Sequence, residues 1–222
     1  MEFESFVLAA STADLNDEPR ARGHADAVEF RMDLTEEPLS ALDTYTGELP
    51  ILATNRAVWE GGEADDDGRL DGLAAAAEYD AVEAIDVELR TARESDGRAL
   101  IERVRHLGVE VVVSVHDFDG TPEREDMVAA LEAATMLGDV GKLAVTADHR
   151  GDVLDLLSVT HALDRGGRRV ATMAMGEPGR HSRVVAPLYG SRIGYAPVDP
   201  ADATAPGQYE LATLSTLIDR LS

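Results

Sequence analysis

The sequence contains no cysteine. This absence excludes disulfide bonds, thiolate catalysis and cysteine-ligated zinc, and it leaves histidine and carboxylate side chains as candidate metal ligands. Lysine is nearly absent as well, because Lys142 is the one lysine among 20 basic side chains and all the others are arginine. Lys142 is therefore expected to do something that arginine cannot do.

The sequence also lacks long apolar runs, and the first residues, MEFESF, have neither the basic nor the apolar region of a signal peptide. We therefore expect a cytoplasmic protein. Acidic residues number 43 against 20 basic ones, for a net charge of -23. Such a surface repels nucleic acid and anionic membranes, so we expect neither as a partner. An acidic, lysine-poor surface is typical of proteins adapted to a salt-rich cytoplasm, where salt screens self-repulsion.

Short β-rich segments alternate with helical stretches along the 222 residues, which suffice for one core. The strand-like segments are residues 5–11, 27–34, 50–56, 81–89, 110–118, 142–147, 169–175 and 191–198. The helical stretches include residues 69–79, 94–107, 122–137 and 150–165. Eight β/α units of this length predict an α/β fold, a (β/α)8 TIM barrel forming a single domain over residues 1–222.

Polar residues recur at alternate positions of the predicted strands, which is the parity that faces the interior of a barrel. These are Glu29, Arg31, Thr54, Arg56, Asp86, Glu88, Ser114, His116 and Lys142, and the seventh strand adds Met173 and Met175. Burying one unpaired charge costs roughly several kcal/mol, so charges at one barrel mouth indicate mutual pairing and a polar ligand. A salt-bridge network without a ligand is the alternative.

Lys142 is the strongest single indication of chemistry. Arginine cannot become a neutral nucleophile, whereas desolvation and nearby cations such as Arg56 and Arg183 lower the pKa of a lysine and free its amine to attack a carbonyl. The expected product is an imine. A structural lysine in an ion pair is the alternative, although arginine would serve that purpose equally well.

His116 is the candidate general acid and base, because imidazole takes and returns protons near neutral pH. Glu60, in the loop WEGG after the third strand, is placed to orient it. Arg56 and Arg183 carry the planar donor fork that binds a carboxylate in two places, which favours an anionic substrate. His181 borders the site loop. The remaining histidines, His24, His106, His149 and His161, are expected to be solvated surface groups.

The segment TAPGQ, residues 204–208, follows the last predicted strand. Its Pro-Gly turn brings Thr204 and Gln208 to the barrel mouth and predicts a loop that covers the substrate. An ordinary turn is the alternative interpretation of this pentapeptide.

Taken in order, the segments EFRMD, TNRAVWEGG, SVHDF, GKLAV, MAMGEPGRHSR, GS and APGQ resemble the signature of the type I 3-dehydroquinate dehydratases, enzymes of the shikimate pathway and hence of aromatic amino-acid biosynthesis. The resemblance spans nearly the whole chain. Its specificity lies in spacing, since Arg56 and Glu60 are four residues apart and Met175 and Arg183 eight apart. Thr204 stands where the family often has serine, which preserves the hydroxyl, and the chain is short around its first helices.

The resemblance implies a lyase in which Lys142 forms a Schiff base, His116 transfers protons and Glu60 supports it. It also implies a set of side chains that bind 3-dehydroquinate, the small-molecule substrate. These are Glu29, Arg31, Arg56, Arg183, Thr204 and Gln208, with Ser11 adding a contact and Met173 and Met175 packing against the substrate. It implies a homodimer, and it requires no metal or cofactor.

Two other enzyme classes and a binding protein remain as alternatives. The segment VVVSVHDFDGT resembles the nucleophile motif of haloacid-dehalogenase-like phosphatases, with Asp117 as nucleophile, Asp119 as acid and carboxylate-bound Mg²⁺. That interpretation gives no role to His116, Arg56 and Arg183. A different imine-forming barrel, a class I aldolase, shares the lysine but lacks the full set of motifs. A non-catalytic binding protein on this fold is the third alternative.

Overall fold

The computed structural model describes residues 1–199, 201 and 205–221, and in these ranges parallel strands alternate with helices. The strands are β1 (Val7–Thr12), β2 (Ala27–Arg31), β3 (Ile51–Thr54), β4 (Val82–Glu88), β5 (Glu110–Asp117), β6 (Val140–Thr146), β7 (Val170–Met175) and β8 (Ile193–Pro197). The α-helices are α1 (Glu18–Ala21), α2 (Pro38–Asp43), α3 (Arg69–Ala76), α4 (Leu89–Ala92), α5 (Ser95–His106), α6 (Arg124–Leu137), α7 (Arg150–Arg165), α8 (Ser182–Val185) and α9 (Leu211–Asp219). Short 3-10 turns cover Leu15–Asp17, Met32–Leu34, Val58–Glu60 and Ala186–Tyr189.

The strands form one parallel sheet in which each strand pairs with its neighbours in sequence and β1 pairs with β8. The sheet closes between β7 and β8. There the Arg192 amide donates to the Val170 carbonyl at 2.7 Å, and the Thr172 amide donates to Ser191 Oγ at 3.0 Å. The predicted fold class, a (β/α)8 barrel, is confirmed.

Two apolar layers hold the barrel together. Small and branched residues such as Ala9, Leu52 and Val112 fill the interior of the barrel. Residues of opposite parity, such as Phe30 and Ile85, are fully buried between the sheet and the surrounding helices. Because side chains alternate between the two sides of a strand, the polar strand residues fall on the interior side of the barrel, as the sequence predicted.

The strand ends differ from the predicted ones by a few residues. β3 ends at Thr54, so Arg56 lies just beyond it, and β2 ends at Arg31, where a 3-10 turn begins. The helices after β1 and β2 have only four and six residues, in agreement with the shortness of this region in sequence. In the part of the chain that the structure describes, no helix is long and apolar enough to cross a lipid bilayer.

Candidate active site

A cavity of about 580 Å³, part of it open to solvent, lies at the carboxyl ends of the strands. The cavity is lined by Glu29, Arg31, Thr54, Arg56, Glu60, Gly61, His116, Phe118, Lys142, Ala144, Met173, Met175, Arg183, Tyr195 and Ala205. Nine of the residues that the sequence identified as site residues therefore line one cavity at the end of the barrel where active sites of this fold occur.

Lys142 lies within the barrel on β6, and its side chain is only 6% exposed. Its Nζ is 3.1 Å from Asp86 Oδ2 and 4.3 Å from the centre of the Tyr195 ring. The sequence predicted neighbouring cations for this amine; the structure adds a carboxylate and an aromatic face. Lys142 is thus a buried amine at the cavity wall, where a carbonyl compound can reach it.

Asp86 connects Lys142 to a chain of hydrogen bonds. Its Oδ1 accepts from Arg56 Nη2 at 2.7 Å and from Ser114 Oγ at 2.6 Å. Burial alone raises the pKa of Asp86, but the charges of Arg56 and Lys142 outweigh burial and hold the pKa well below its usual range. Asp86 is therefore a permanent anion that balances two cations.

His116, on β5, forms a hydrogen bond through Nδ1 with Glu60 Oε1 at 2.9 Å, and its ring stacks on Phe118 with 5.9 Å between ring centres. Burial lowers the pKa of His116 well below 6.5, and Arg56 and Lys142 lower it further. The imidazole is neutral near pH 7 and can accept a proton. Burial also raises the pKa of Glu60 to about 7 despite the charge of Arg56, so this carboxyl can carry a proton near neutral pH.

Arg56 and Arg31 line the cavity with donors that are already bonded. Arg56 donates to Asp86 and to Ser114 Oγ at 2.7 Å each, and its Nη1 lies 3.3 Å from Glu88 Oε1. Arg31 binds Asp33 in two places, at 2.9 and 2.6 Å. The two-point carboxylate grip that the sequence predicted for Arg56 is therefore directed to groups of the protein itself.

Arg183 is different, because its guanidinium is buried without a counter-charge among the described residues. The residue is 5% exposed, and its Nε has no hydrogen-bond partner among the described residues. Burial lowers the pKa of Arg183 to about 10. Ser182 fixes the start of α8 on β7 by accepting from the Ala174 amide at 2.8 Å. A fixed, desolvated and uncompensated cation is an anion-binding group.

Glu29 is held from two sides. Ser11 Oγ donates to one of its carboxylate oxygens, and Thr54 Oγ1 donates to the other at 3.1 Å. Glu29 lines the cavity, whereas Ser11 is buried behind it and is not among the lining residues. Met173 and Met175, both buried, complete an apolar part of the wall.

The TAPGQ segment adjoins the cavity. Thr204 lies outside the described residues. Gln208 Oε1 accepts from the Ala205 amide at 3.2 Å, and the Pro206 carbonyl accepts from the Gly176 amide at 3.2 Å. These bonds tie the segment to the end of β7 and place Ala205 in the cavity wall, while the Gln208 side chain, a predicted substrate contact, supports the turn and is not among the lining residues.

Two functional positions were missed from sequence. Tyr195 lines the cavity beside Lys142, and the signal for it was available, because it lies at interior parity on β8. Arg69, on α3, binds Glu88 at 2.8 Å and thereby neutralises the second carboxylate of β4. No spacing in the sequence connects α3 to that strand, so this pair requires the fold.

In the segment that resembles the phosphatase motif, the Asp117 carboxylate is bonded to the backbone that follows it. Asp117 Oδ1 accepts from the amides of Asp119 and Gly120 at 3.0 Å each, so this carboxylate closes a turn. Among the described residues, no three His, Asp or Glu side chains are arranged to hold a metal ion. His24, His106, His149, His161 and His181 are all exposed and lie outside the cavity lining.

Comparison with known proteins gives a consistent result. Residues 6–221 match the family model described as type I 3-dehydroquinase. The chain is 58% identical to the 3-dehydroquinate dehydratase of Haloarcula marismortui over 100% of this chain and 98% of that protein. It is 54% identical to the enzyme of the same name from Halobacterium salinarum, over 98% of both.

Solved structures agree with the sequence matches. The 3-dehydroquinate dehydratase of Geobacillus kaustophilus superimposes with a TM-score of 0.87 at 28% identity, covering 98% of this chain and 91% of that one. The type I enzyme of Clostridium difficile, solved with covalent modified comenic acid, gives 0.82 at 26% identity, covering 98% and 92%. A phosphoribosyl anthranilate isomerase from Thermococcus kodakaraensis, at 12% identity and a TM-score of 0.61, shares the fold alone.

Proposed function

Because this chain belongs to the type I 3-dehydroquinase family, we propose that it is the hydro-lyase that dehydrates 3-dehydroquinate to 3-dehydroshikimate in the shikimate pathway, through an imine on Lys142. The observation that carries the proposal is the juxtaposition, in one cavity, of the single lysine of the chain with a neutral, carboxylate-supported histidine. The covalent ligand in the solved C. difficile relative is in keeping with covalent chemistry in this family.

The first step joins substrate and protein. His116 takes a proton from the Lys142 ammonium, the freed amine attacks the ring ketone, and the carbinolamine takes the proton back and loses water to give a protonated imine. Asp86, 3.1 Å from Nζ, is the counter-ion of the cation in both the free lysine and the imine. The Tyr195 face, 4.3 Å away, stabilises the same charge.

The second step removes water from the ring. The imine withdraws electrons and acidifies the adjacent C–H, so neutral His116 takes that proton and an enamine forms. The enamine expels the ring hydroxyl, to which His116 returns the proton, and water leaves. Glu60 holds the imidazole in position throughout. Attack of water on the remaining imine then releases the product and regenerates Lys142.

The other side chains hold the substrate. Arg183, the uncompensated cation, binds the substrate carboxylate. Glu29, Arg31 and Arg56 line the part of the cavity in which we place the ring hydroxyls. Met173 and Met175 pack against the ring. Gln208 acts by holding the turn that places Ala205 in the cavity wall, and Ser11 acts by holding Glu29.

Borohydride reduction tests the proposal with little ambiguity, because Lys142 and the chain terminus are the only candidate amines in this sequence. Incubation with 3-dehydroquinate followed by borohydride is expected to add the mass of the reduced adduct to the peptide that contains Lys142. The Lys142→Arg variant keeps a cation beside Asp86 and is expected to give no adduct and no turnover. Unchanged mass in the wild type, or turnover by the variant at the normal rate, contradicts the imine mechanism.

We also propose a cytoplasmic homodimer. Exposed apolar side chains support an interface on one side of the barrel: Leu154 lies on the outer face of α7, and Leu188 and Tyr189 lie on the turn that packs against this helix. Light scattering on the purified protein in KCl measures the mass directly. A monomer at all concentrations contradicts the dimer without affecting the proposed reaction.

A further inference from the structure

Tyr195 lies on β8 inside the barrel and is 4% exposed. Its hydroxyl is fully enclosed and has no hydrogen-bond partner among the described residues. Buried tyrosine hydroxyls usually find a partner, because leaving such a group unbonded destabilises the fold. The rest of the chain follows that rule at Tyr45, whose hydroxyl donates to the Leu49 carbonyl at 2.7 Å.

The unbonded hydroxyl belongs to a residue that lines the active-site cavity. Among the described residues, two of these lining residues carry a buried donor without a partner, Arg183 through Nε and Tyr195 through its hydroxyl. The acceptors nearby are already engaged, since Glu29 accepts from Ser11 and Thr54, and Asp86 accepts from Arg56 and Ser114. Two residues of the cavity wall therefore hold an unsatisfied donor, one charged and one neutral.

The protonation state of Tyr195 suits a donor. Burial raises the pKa of the phenol well above 10, and the negative charges of Glu29 and Asp86 raise it further. The hydroxyl keeps its proton throughout the range in which the enzyme operates.

We infer that the Tyr195 hydroxyl donates a hydrogen bond to an oxygen of the bound substrate, at the end of the cavity where Lys142 lies, and so selects a hydroxylated ring. This inference rests on the proposed function, which supplies a ring bearing hydroxyl groups. Arg183 binds the carboxylate, and Tyr195 binds a neutral oxygen. A ligand with a carboxylate but no oxygen in this position leaves the tyrosine hydroxyl buried and unpaired, and it is discriminated against for that reason.

The ring and the hydroxyl of Tyr195 have separable tasks. The ring face lies 4.3 Å from Lys142 Nζ and stabilises its positive charge. Tyr195→Phe keeps this ring and removes only the oxygen. The substitution therefore isolates the hydrogen bond from the chemistry at the lysine.

The test compares the wild type with Tyr195→Phe in steady-state kinetics and thermal unfolding. For Tyr195→Phe we expect KM for 3-dehydroquinate to rise about tenfold, with kcat changed by less than about threefold, because the lost bond is made equally in the ground state and the transition state. The melting temperature of the ligand-free variant is expected to equal or exceed that of the wild type, since an unsatisfied polar atom has been removed.

Tyr45→Phe is the matched control, because it makes the same change where the hydroxyl is bonded to a backbone carbonyl. It is expected to lower the melting temperature and leave KM unchanged. If Tyr195→Phe behaves like this control, with reduced stability and normal KM, its hydroxyl has a structural partner and the inference is wrong. A tenfold loss confined to kcat likewise overturns it.

Borohydride trapping separates this inference from the proposed function. Tyr195→Phe at saturating substrate is expected to form the Lys142 adduct as the wild type does. A wild type that forms no adduct overturns the proposed reaction, whereas a normal adduct together with unchanged KM in the variant overturns only the role of Tyr195.

Discussion

The two walls of the cavity differ in how their charges are paired. On the wall formed by β3 to β6, Arg56, Asp86, Ser114 and Lys142 bond to one another. On the wall formed by β7, β8 and α8, Arg183 and Tyr195 have donors without partners in the part of the chain that the structure describes. The first wall is complete without a ligand and is suited to fixing reactive groups. The second wall is incomplete, so it is suited to recognising a ligand.

The largest expected effect comes from breaking the paired wall at Asp86. Asp86→Asn removes the anion between two buried cations and is expected to lower the free energy of unfolding by about 3 to 5 kcal/mol. Urea denaturation measures the change. Asp119→Asn, an exposed position, is the control and is expected to change the free energy of unfolding by less than about 0.5 kcal/mol. Equal stability of Asp86→Asn and the wild type would show that the pairing contributes nothing.

A stability change of opposite sign is expected on the wall formed by β7, β8 and α8. Arg183→Met removes a buried cation that has no counter-ion among the described residues, so the ligand-free protein is expected to melt at an equal or higher temperature than the wild type. KM is expected to rise about 100-fold because the charge-assisted bonds to the substrate carboxylate are lost. Arg98→Met, on the exposed face of α5, is the control. A loss of stability without a change in KM would make Arg183 a structural residue.

A smaller effect, and one that depends on pH, is expected between the walls at Glu60. Its pKa is raised from 4.5 to about 7 by burial, so its contribution to stability is complete below pH 4.5 and is lost as pH rises through about 7. Glu60→Gln is neutral at every pH. Relative to the wild type, this variant is expected to gain about 2 kcal/mol between pH 5 and pH 8. Melting curves at both pH values check this, with exposed Glu63→Gln as the control that shows no gain.

The smallest effect expected at the cavity is that of salt. Raising KCl is expected to stabilise the wild type, because salt screens the repulsion within a surface of net charge -23, and the matches to proteins of halophilic archaea support this adaptation. The stability difference between wild type and Asp86→Asn is expected to stay nearly constant, because buried pairs are screened much less than surface ones. A difference that vanishes in high salt would mean that water and ions reach Asp86.

Much of the fold and the cavity could be predicted from the sequence, since both follow from alternation along strands. Interior parity alone predicted that Glu29, His116 and Lys142 lie at one barrel mouth. The alternation does not reveal the distances between side chains of different elements, however, and their hydrogen bonds and ion pairs depend on those distances. Arg56 and Arg183 are the same residue type and both line the cavity, yet one is bonded to Asp86 and Ser114 while the other is not. That difference arises from strands and helices that are far apart in the chain.

The seam that closes the barrel, where Ser191 and Arg192 meet β7, lies between the elements that carry Arg183 and Tyr195. One of its two bonds uses a serine side chain in place of a backbone group. Widening this seam would move apart the two donors proposed to bind the substrate, the Arg183 guanidinium and the Tyr195 hydroxyl. The length of substrate that spans both donors is therefore governed by barrel closure, on the strand that pairs with the one carrying the lysine.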